Sequence, residues 1–463
     1  MAISTAYMQS IALNRFGLGA RPQDPAVSDP QEWLSAQLDR FDVRPPAIAA
    51  APSYRQATAE IKSIRDAQRA ARSDASPQAM ADARAMNVSI RQMMNDQVAA
   101  RIAAAVQSDT PFAERLVHFW SNHFAVSTNK GDLLATAGPF EFEAIRPNIM
   151  GRFSDLLVAV EGHPAMLSYL DQSVSVGPNS PSGKRFARRA IGINENLARE
   201  ILELHTLGVR SGYTQADVAE FARALTGRTI VGTGAGGQLP GVYGEPVYDA
   251  DIHEPGERTI LGRRYADGQA EQGQAVLADV ALRPETARHI ATKLAVHFVT
   301  DTPSPALVNR LAAAFQTSGG DLKTVYRALI AAPESWAAPA GKFKSPWDWT
   351  ISTWRAINPD PTTLAMSAQI LQHLGQPVWQ SGSPAGWADT QQTWAASDEL
   401  MRRFDIANQI ASKAASPAAM DESTIAALLP GTLRRDTVNV LKTAASPQQQ
   451  LALLLVAPEF QRR

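Results

Sequence analysis

Asp109-Thr-Pro-Phe-Ala-Glu-Arg-Leu-Val-His-Phe-Trp-Ser-Asn-His-Phe124 is the stretch on which the reading of the fold turns. Asp109 and Thr110 supply a cap, and Pro111 suits a first turn, where its missing N–H removes no helical bond. Leu116, Phe119, Trp120, His123 and Phe124 then return at helical spacing along one face, so the stretch predicts a helix that buries that face and points His123 inward. The same period runs through Glu285 to Val299 and Ala306 to Phe315, and Asp321 reads as the cap of a helix ending before Pro333. Residues 54–107, rich in Ala, Gln, Arg and Met and broken at Ser76-Pro77, predict two long helices. Only from Thr229 to Tyr265 do glycines and prolines crowd among Val, Tyr and Ile, which predicts a long loop with a hairpin around Pro255-Gly256. The expected fold is therefore mainly α: a single large helical domain with a small β-hairpin insertion near 229–265. Its expected organisation is an N-terminal helical subdomain over 1–108 and the main domain over 109–463.

Composition narrows the function. In 463 residues, 44 Lys plus Arg stand against 45 Asp plus Glu, a net charge of −1 that excludes the basic surplus of a nucleic-acid binder. There is no cysteine, which removes disulfides, thiolate ligands and cysteine nucleophiles. No apolar run approaches the roughly 18 to 20 residues of a membrane span. Met1 to Phe16 lacks a basic region, an apolar core and a cleavage site. The chain is expected either to stay in the cytoplasm or to have lost an export signal.

Most sharp motifs are missing. Gly232, Gly234 and Gly237 carry the letters of a dinucleotide fingerprint without the strand before them or the helix after them. There is no phosphate loop, no nucleophile elbow and no His-Glu-x-x-His. His118 and His123 are five apart and His289 and His297 eight apart, so neither pair is expected to share a helix face as a two-histidine metal site requires. Neither metal nor cofactor is expected. A constellation remains on the helix that Asn194 is expected to cap, with Leu197, Ile201, Leu204 and Gly208 as its apolar stripe. Glu195, Arg199, Glu200 and Glu203 occupy two turns of it. By spacing alone this is a solvated face with a Glu195 to Arg199 ion pair worth a few tenths of a kcal/mol. If it lines a cleft, desolvation and neighbouring carboxylates separate two pKa values into an acid and a base.

This helix, Asn194-Glu-Asn-Leu-Ala-Arg-Glu-Ile-Leu-Glu-Leu-His-Thr-Leu-Gly208, resembles the hallmark of a bacterial family catalogued as a domain of unknown function, number eighteen hundred. With it go Asn14 to Ala20, Phe119 to Phe124, Tyr169 to Asp171, Ala222 to Gly227, His253 to Gly256 with Leu261-Gly262, Lys344 and Pro346, Leu374 to Trp379, and Gly386-Trp387. The departures are Glu254 and Arg258, where the family has Asp and Lys, and Arg228, where a Trp often stands. The resemblance implies a mainly helical protein, often exported and often encoded beside a partner resembling sulfatases and phosphatases. It implies a periplasmic or secreted location, and it singles out His123, Asp171, Asn194, Glu195, Arg199, Glu200, Glu203 and His253.

The expected activity is a hydrolase of a bacterial envelope or extracellular polymer, polysaccharide above all, using paired carboxylates. Glu195, Glu200, Asp171 and His253 are the expected catalytic residues. His123, Asn194, Arg199, Glu203 and Trp387 are expected to bind substrate. His253 stands out because a histidine in a long loop has no core to fill. Lys184, Arg185, Arg188 and Arg189 form a basic cluster able to steer an anion, and Trp379, Trp387 and Trp394 suit stacking on sugar rings. Two alternatives come from other classes: a helical scaffold for the co-encoded partner, and a metal-dependent hydrolase or oxidoreductase using His123, Glu200 and His253.

Overall fold

The computed structural model describes residues 4–74, 77–185, 192–236, 239–337, 341–413 and 420–463. Helix accounts for 62% and strand for 4%, so the architecture is helix packed on helix. Local chemistry starts many of these helices. Ser304-Pro305, Ser345-Pro346, Asp360-Pro361 and Ser446-Pro447 each put a capping oxygen before a proline whose φ is already helical. The stretch at Asp109 becomes the helix Pro111–His123, buried along its apolar face. The two long helices are Tyr54–Asp74 and Pro77–Gln107, and Pro284–Phe298 and Pro305–Thr317 stand where the period places them.

One hydrophobic cluster runs from Ile11 to Phe460, with Trp349 and Trp354 fully buried in it. Buried arginines stitch the N-terminal segment to the rest. Arg115 Nε donates to Gly17 O at 2.8 Å, and Arg355 Nε donates to Gly19 O at 2.8 Å. The expected boundary at 108/109 falls in the short link between Pro77–Gln107 and Pro111–His123, across which the core continues.

The strands lie in the glycine-rich insertion. Arg228–Ile230 pairs antiparallel with Pro246–Tyr248, and Arg258–Ile260 pairs with Arg263–Tyr265. The second hairpin turns at Leu261-Gly262, with φ of 52 and 77°, and not at Pro255-Gly256, which precedes its first strand. Both favoured two-residue hairpin turns need positive φ at the first central position, and proline, locked near −65°, cannot supply it.

The helix after Asn194 begins as Asn196–Glu200 and continues as the π-helix Ile201–His205. The widened turn shifts the inward face, so Leu202 and His205 are buried where Leu204, half-buried, was expected. Glu195, not Asn194, is the N-cap residue, while Asn194 Oδ1 accepts from Asn196 N at 2.8 Å. Farther on, Thr214 and Asp217 form a reciprocal capping box at the start of Gln215–Leu225. Thr214→Ala is expected to cost about 1 kcal/mol, read as a lower urea midpoint at unchanged slope. Among the described residues no helix is long and apolar enough to cross a membrane.

Candidate functional site

The segment from Asp171 to Ser180 joins three of the stretches that the sequence singles out. Ser175 Oγ accepts from Asn194 N at 3.0 Å, Gly177 N donates to Ile252 O at 2.9 Å, and the buried Glu254 carboxylate takes Asn179 N at 2.8 Å and Nδ2 at 2.6 Å. The backbones carrying Asp171, the Asn194 helix and His253 therefore adjoin. Their side chains go to separate partners. Asp171 sits at φ 58° and pairs with Lys130 Nζ at 2.5 Å, while the same ammonium reaches Ser168 O at 2.6 Å and Tyr169 O at 3.1 Å. Glu195 meets Arg199 at 2.9 Å and Gln215 at 2.7 Å, the local ion pair that spacing alone suggests. His253 is buried, with Nδ1 2.9 Å from Thr226 O, so this loop histidine does help to fill the interior.

His123 lies among Phe119, Trp120 and Phe124, with Nε2 3.1 Å from His205 O. Glu203 is paired with Tyr213. Burial pushes Glu200 above the ordinary carboxylate value, Glu203 and Glu161 adding to the rise while His205 and Arg199 oppose it. That is the direction expected of an acid, but Glu195, Asp171 and His253 have no hydrogen bond or ion pair to it among the described residues. Arg188 and Arg189 lie outside the described residues. Among those described, no group of three His, Cys, Asp or Glu side chains is placed to hold a metal ion.

Trp387 leads to a different place. It borders a small cleft of about 90 Å³ whose walls come from Pro77–Gln107, Pro111–His123, Pro284–Phe298, Pro346–Ile357 and the loop Gln376 to Asp389. Asn122 fixes the rim: its Nδ2 donates to Trp387 O at 2.9 Å and its Oδ1 accepts from Trp387 N at 2.7 Å. The preceding Gly386 has φ 76°, and a β-carbon there would lie 2.3 Å from Asn122 O, so the clamp requires glycine. Trp379 also lines the cleft, at a φ of 51° that is unusual for a bulky residue. Its indole donates to Glu141 Oε2 at 2.9 Å, which also takes Ser121 Oγ at 2.5 Å, and Arg101 Nε reaches the same carboxylate at 2.8 Å. Glu141 belongs to the π-helix Phe140–Ile145.

The chemistry of this cleft centres on two histidines. His297 turns Nδ1 to Asp389 Oδ2 at 2.6 Å. Burial alone would raise Asp389, but His297, Lys342 and Arg463 outweigh it and hold the carboxyl far below its usual range. Burial also lowers the His297 pKa, against the pull of Asp389. A neutral ring donating through Nδ1 to a carboxylate carries its lone pair on Nε2, and that nitrogen has no hydrogen-bond partner among the described residues and is shielded from bulk solvent. His118 is the complement. Trp347 Nε1, a donor only, meets His118 Nδ1 at 3.1 Å, and burial, with Arg101 and Arg115 nearby, holds the ring neutral. The proton of His118 is then on Nε2, which has no hydrogen-bond partner among the described residues and lies 3.7 Å from Glu114 Oε1.

Arg463 braces the wall by donating to His297 O at 2.8 Å and meeting Asp348 Oδ2 at 2.9 Å, and Arg115 Nη1 holds the other Asp348 oxygen at 2.8 Å. Burial opposes the ionisation of Asp348, yet these guanidiniums keep its pKa down at about 2. Sequence reasoning missed His118, His297, Asp389, Arg115 and Asp348. The histidines were weighed within single helices, whereas here they pair across two. Phe119 faces His297 at 5.3 Å and His123 faces His289 at 6.1 Å, so Pro111–His123 and Pro284–Phe298 lie side by side and in opposite directions.

The model of the family described as protein of unknown function (DUF1800) matches residues 11–462, and the chain belongs to that family. No curated protein and no solved structure matches it.

Proposed function

We propose that this member of the family is a hydrolase that works in the Trp387 cleft on a carbohydrate polymer, with His297 as general base. One observation carries the reading: in a cleft wall where nearly every charge is paired, the His297 ring is oriented by Asp389 and keeps Nε2 uncommitted. A base of this kind takes a proton from water as the oxygen attacks, and Asp389 stabilises the imidazolium that forms. His118 Nε2–H is a buried neutral donor with no hydrogen-bond partner among the described residues, suited to an oxygen that gains negative charge. Shielding of Nε2 from bulk solvent favours action on molecules that fill the cleft. Asn122 holds the half-buried Trp387 at the rim, a placement suited to stacking on a sugar ring. The reaction class is the one expected from the sequence, with the base moved from the carboxylates of the Asn194 helix to His297.

The test is a panel of neutral and acidic polysaccharides incubated with wild type, His297→Gln and Glu200→Gln. Product from wild type and Glu200→Gln, cut by roughly a hundredfold or more in His297→Gln, is the expected result. Product formed equally by wild type and His297→Gln would remove His297, and a loss confined to Glu200→Gln would return the chemistry to the Asn194 helix.

A further inference from the structure

We infer that the bond cleaved in this cleft is an acyl ester on a carbohydrate and not a glycosidic bond, an inference that rests on the His297 reading above. Glycoside cleavage needs a carboxylic acid that protonates the departing oxygen, usually opposite a second carboxylate. None of the carboxylates around the cleft is free for that: Glu114, beside His118, takes Arg146 at 2.6 and 2.9 Å. Asp348 is held by Arg115 at 2.8 Å and Arg463 at 2.9 Å. Asp389 takes His297 at 2.6 Å, with Lys342 and Arg463 each at 3.5 Å. Glu141 takes Arg101, Ser121 and the Trp379 indole at 2.5 to 2.9 Å. Every one of these partners is a donor, so each carboxylate serves as an ionised acceptor. The burial of Asp348 and Glu141 makes the ion pairs hard to break for a proton transfer.

The two uncommitted atoms meet the needs of acyl transfer to water. His297 Nε2 accepts a proton from water while the water oxygen bonds to the ester carbonyl carbon, and the carbonyl pair moves onto oxygen facing His118 Nε2–H. Collapse re-forms the carbonyl and breaks the bond to the sugar oxygen, which takes the proton back from His297. Ester and water become carboxylic acid and alcohol, with no oxidant, metal or second substrate. The leaving group is a sugar hydroxyl, which needs one proton and no strong acid, and one histidine supplies it. Trp387 at the rim then holds the sugar and the deeper histidines face the acyl group.

Acetylated xylan and the same polymer after chemical deacetylation are incubated with wild type, His297→Gln and Asp389→Asn, each checked for native circular dichroism. Released acetate and new reducing ends are measured in every reaction. The expected result is acetate from the acetylated polymer, at least a hundredfold slower with either variant, and no new reducing ends. New reducing ends without acetate, lost in the variants, would overturn the ester inference and leave the hydrolase reading standing. Acetate released equally by all three proteins, or neither product from wild type, would overturn both. If His297→Gln does not fold, Asp389→Asn carries the comparison.

Discussion

Lowering the pH from 7 to 5 is expected to weaken the fold by several kcal/mol, with uptake of protons by buried histidines. Burial pushes His163 down to about 3 and His289 down to about 4, and it holds His118 and His123 well below the ordinary value. A histidine whose folded pKa is depressed is bound to fewer protons in the native state than in the unfolded chain. Its contribution is complete above the unfolded pKa, near 6.5, and is lost progressively as the pH falls from there toward the folded value. At about 1.4 kcal/mol per pH unit, His163 and His289 each give up about 2 kcal/mol between pH 6.5 and 5, and His118 and His123 act in the same direction. That is a large part of the 5 to 15 kcal/mol typical of a folded protein. Asp348 and Asp389 do not offset it. Their depressed pKa values give stability that is present above the carboxylate range and begins to be lost only below about pH 4. Urea unfolding at pH 7, 6 and 5 checks this: the midpoint should fall at each step. Equal midpoints at pH 7 and 5 would mean that these histidines are already protonated or reach water in the native state.

The fold could be read from the sequence because its signals are local. Pro111, and Thr214 with Asp217, each act within one turn, and their helices stand where they point, although Thr110 makes no side-chain cap bond; Ser76 lies outside the described residues. Other local readings went astray for physical reasons. The π-helix Ile201–His205 widens one turn, which moves Leu202 and His205 onto the face where Leu204 was expected. Hairpin geometry moves the turn from Pro255-Gly256 to Leu261-Gly262. The site was harder to read because it is made across helices. The sequence places His118 and His297 179 positions apart (297 − 118), and neither looks catalytic on its own helix. Asp389 becomes meaningful only when its loop folds against Pro284–Phe298. Of the residues singled out from the sequence, Trp387 and Trp379 border the cleft, and what marked them was an aromatic ring on a polar, glycine-rich stretch.

Asp389→Asn is expected to abolish most of the activity while sparing the fold, approaching the loss that removal of His297 itself would cause. The carboxylate accepts from His297 Nδ1–H and so places the lone pair on Nε2. An amide can instead donate to Nδ1, which moves the ring proton to Nε2 and leaves no base facing the cleft. It also removes the charge that stabilises the imidazolium. In serine proteases the corresponding change costs roughly ten-thousandfold in turnover, so a fall of about a thousandfold to ten-thousandfold is expected here. The fold should persist because the cations around Asp389 keep other partners: Lys342 retains Asp301 at 2.7 Å, and Arg463 retains Asp348 at 2.9 Å and the His297 carbonyl at 2.8 Å. Nitrogen-15 spectra of the histidine rings report the tautomer without need of a substrate, and turnover of the substrate found in the polysaccharide panel reports the chemistry. The His297 signal should change from the Nδ1–H to the Nε2–H form in Asp389→Asn. A changed tautomer with turnover within tenfold of wild type would exclude His297 as the base, and an unchanged tautomer would show that Asp389 does not set the orientation of the ring.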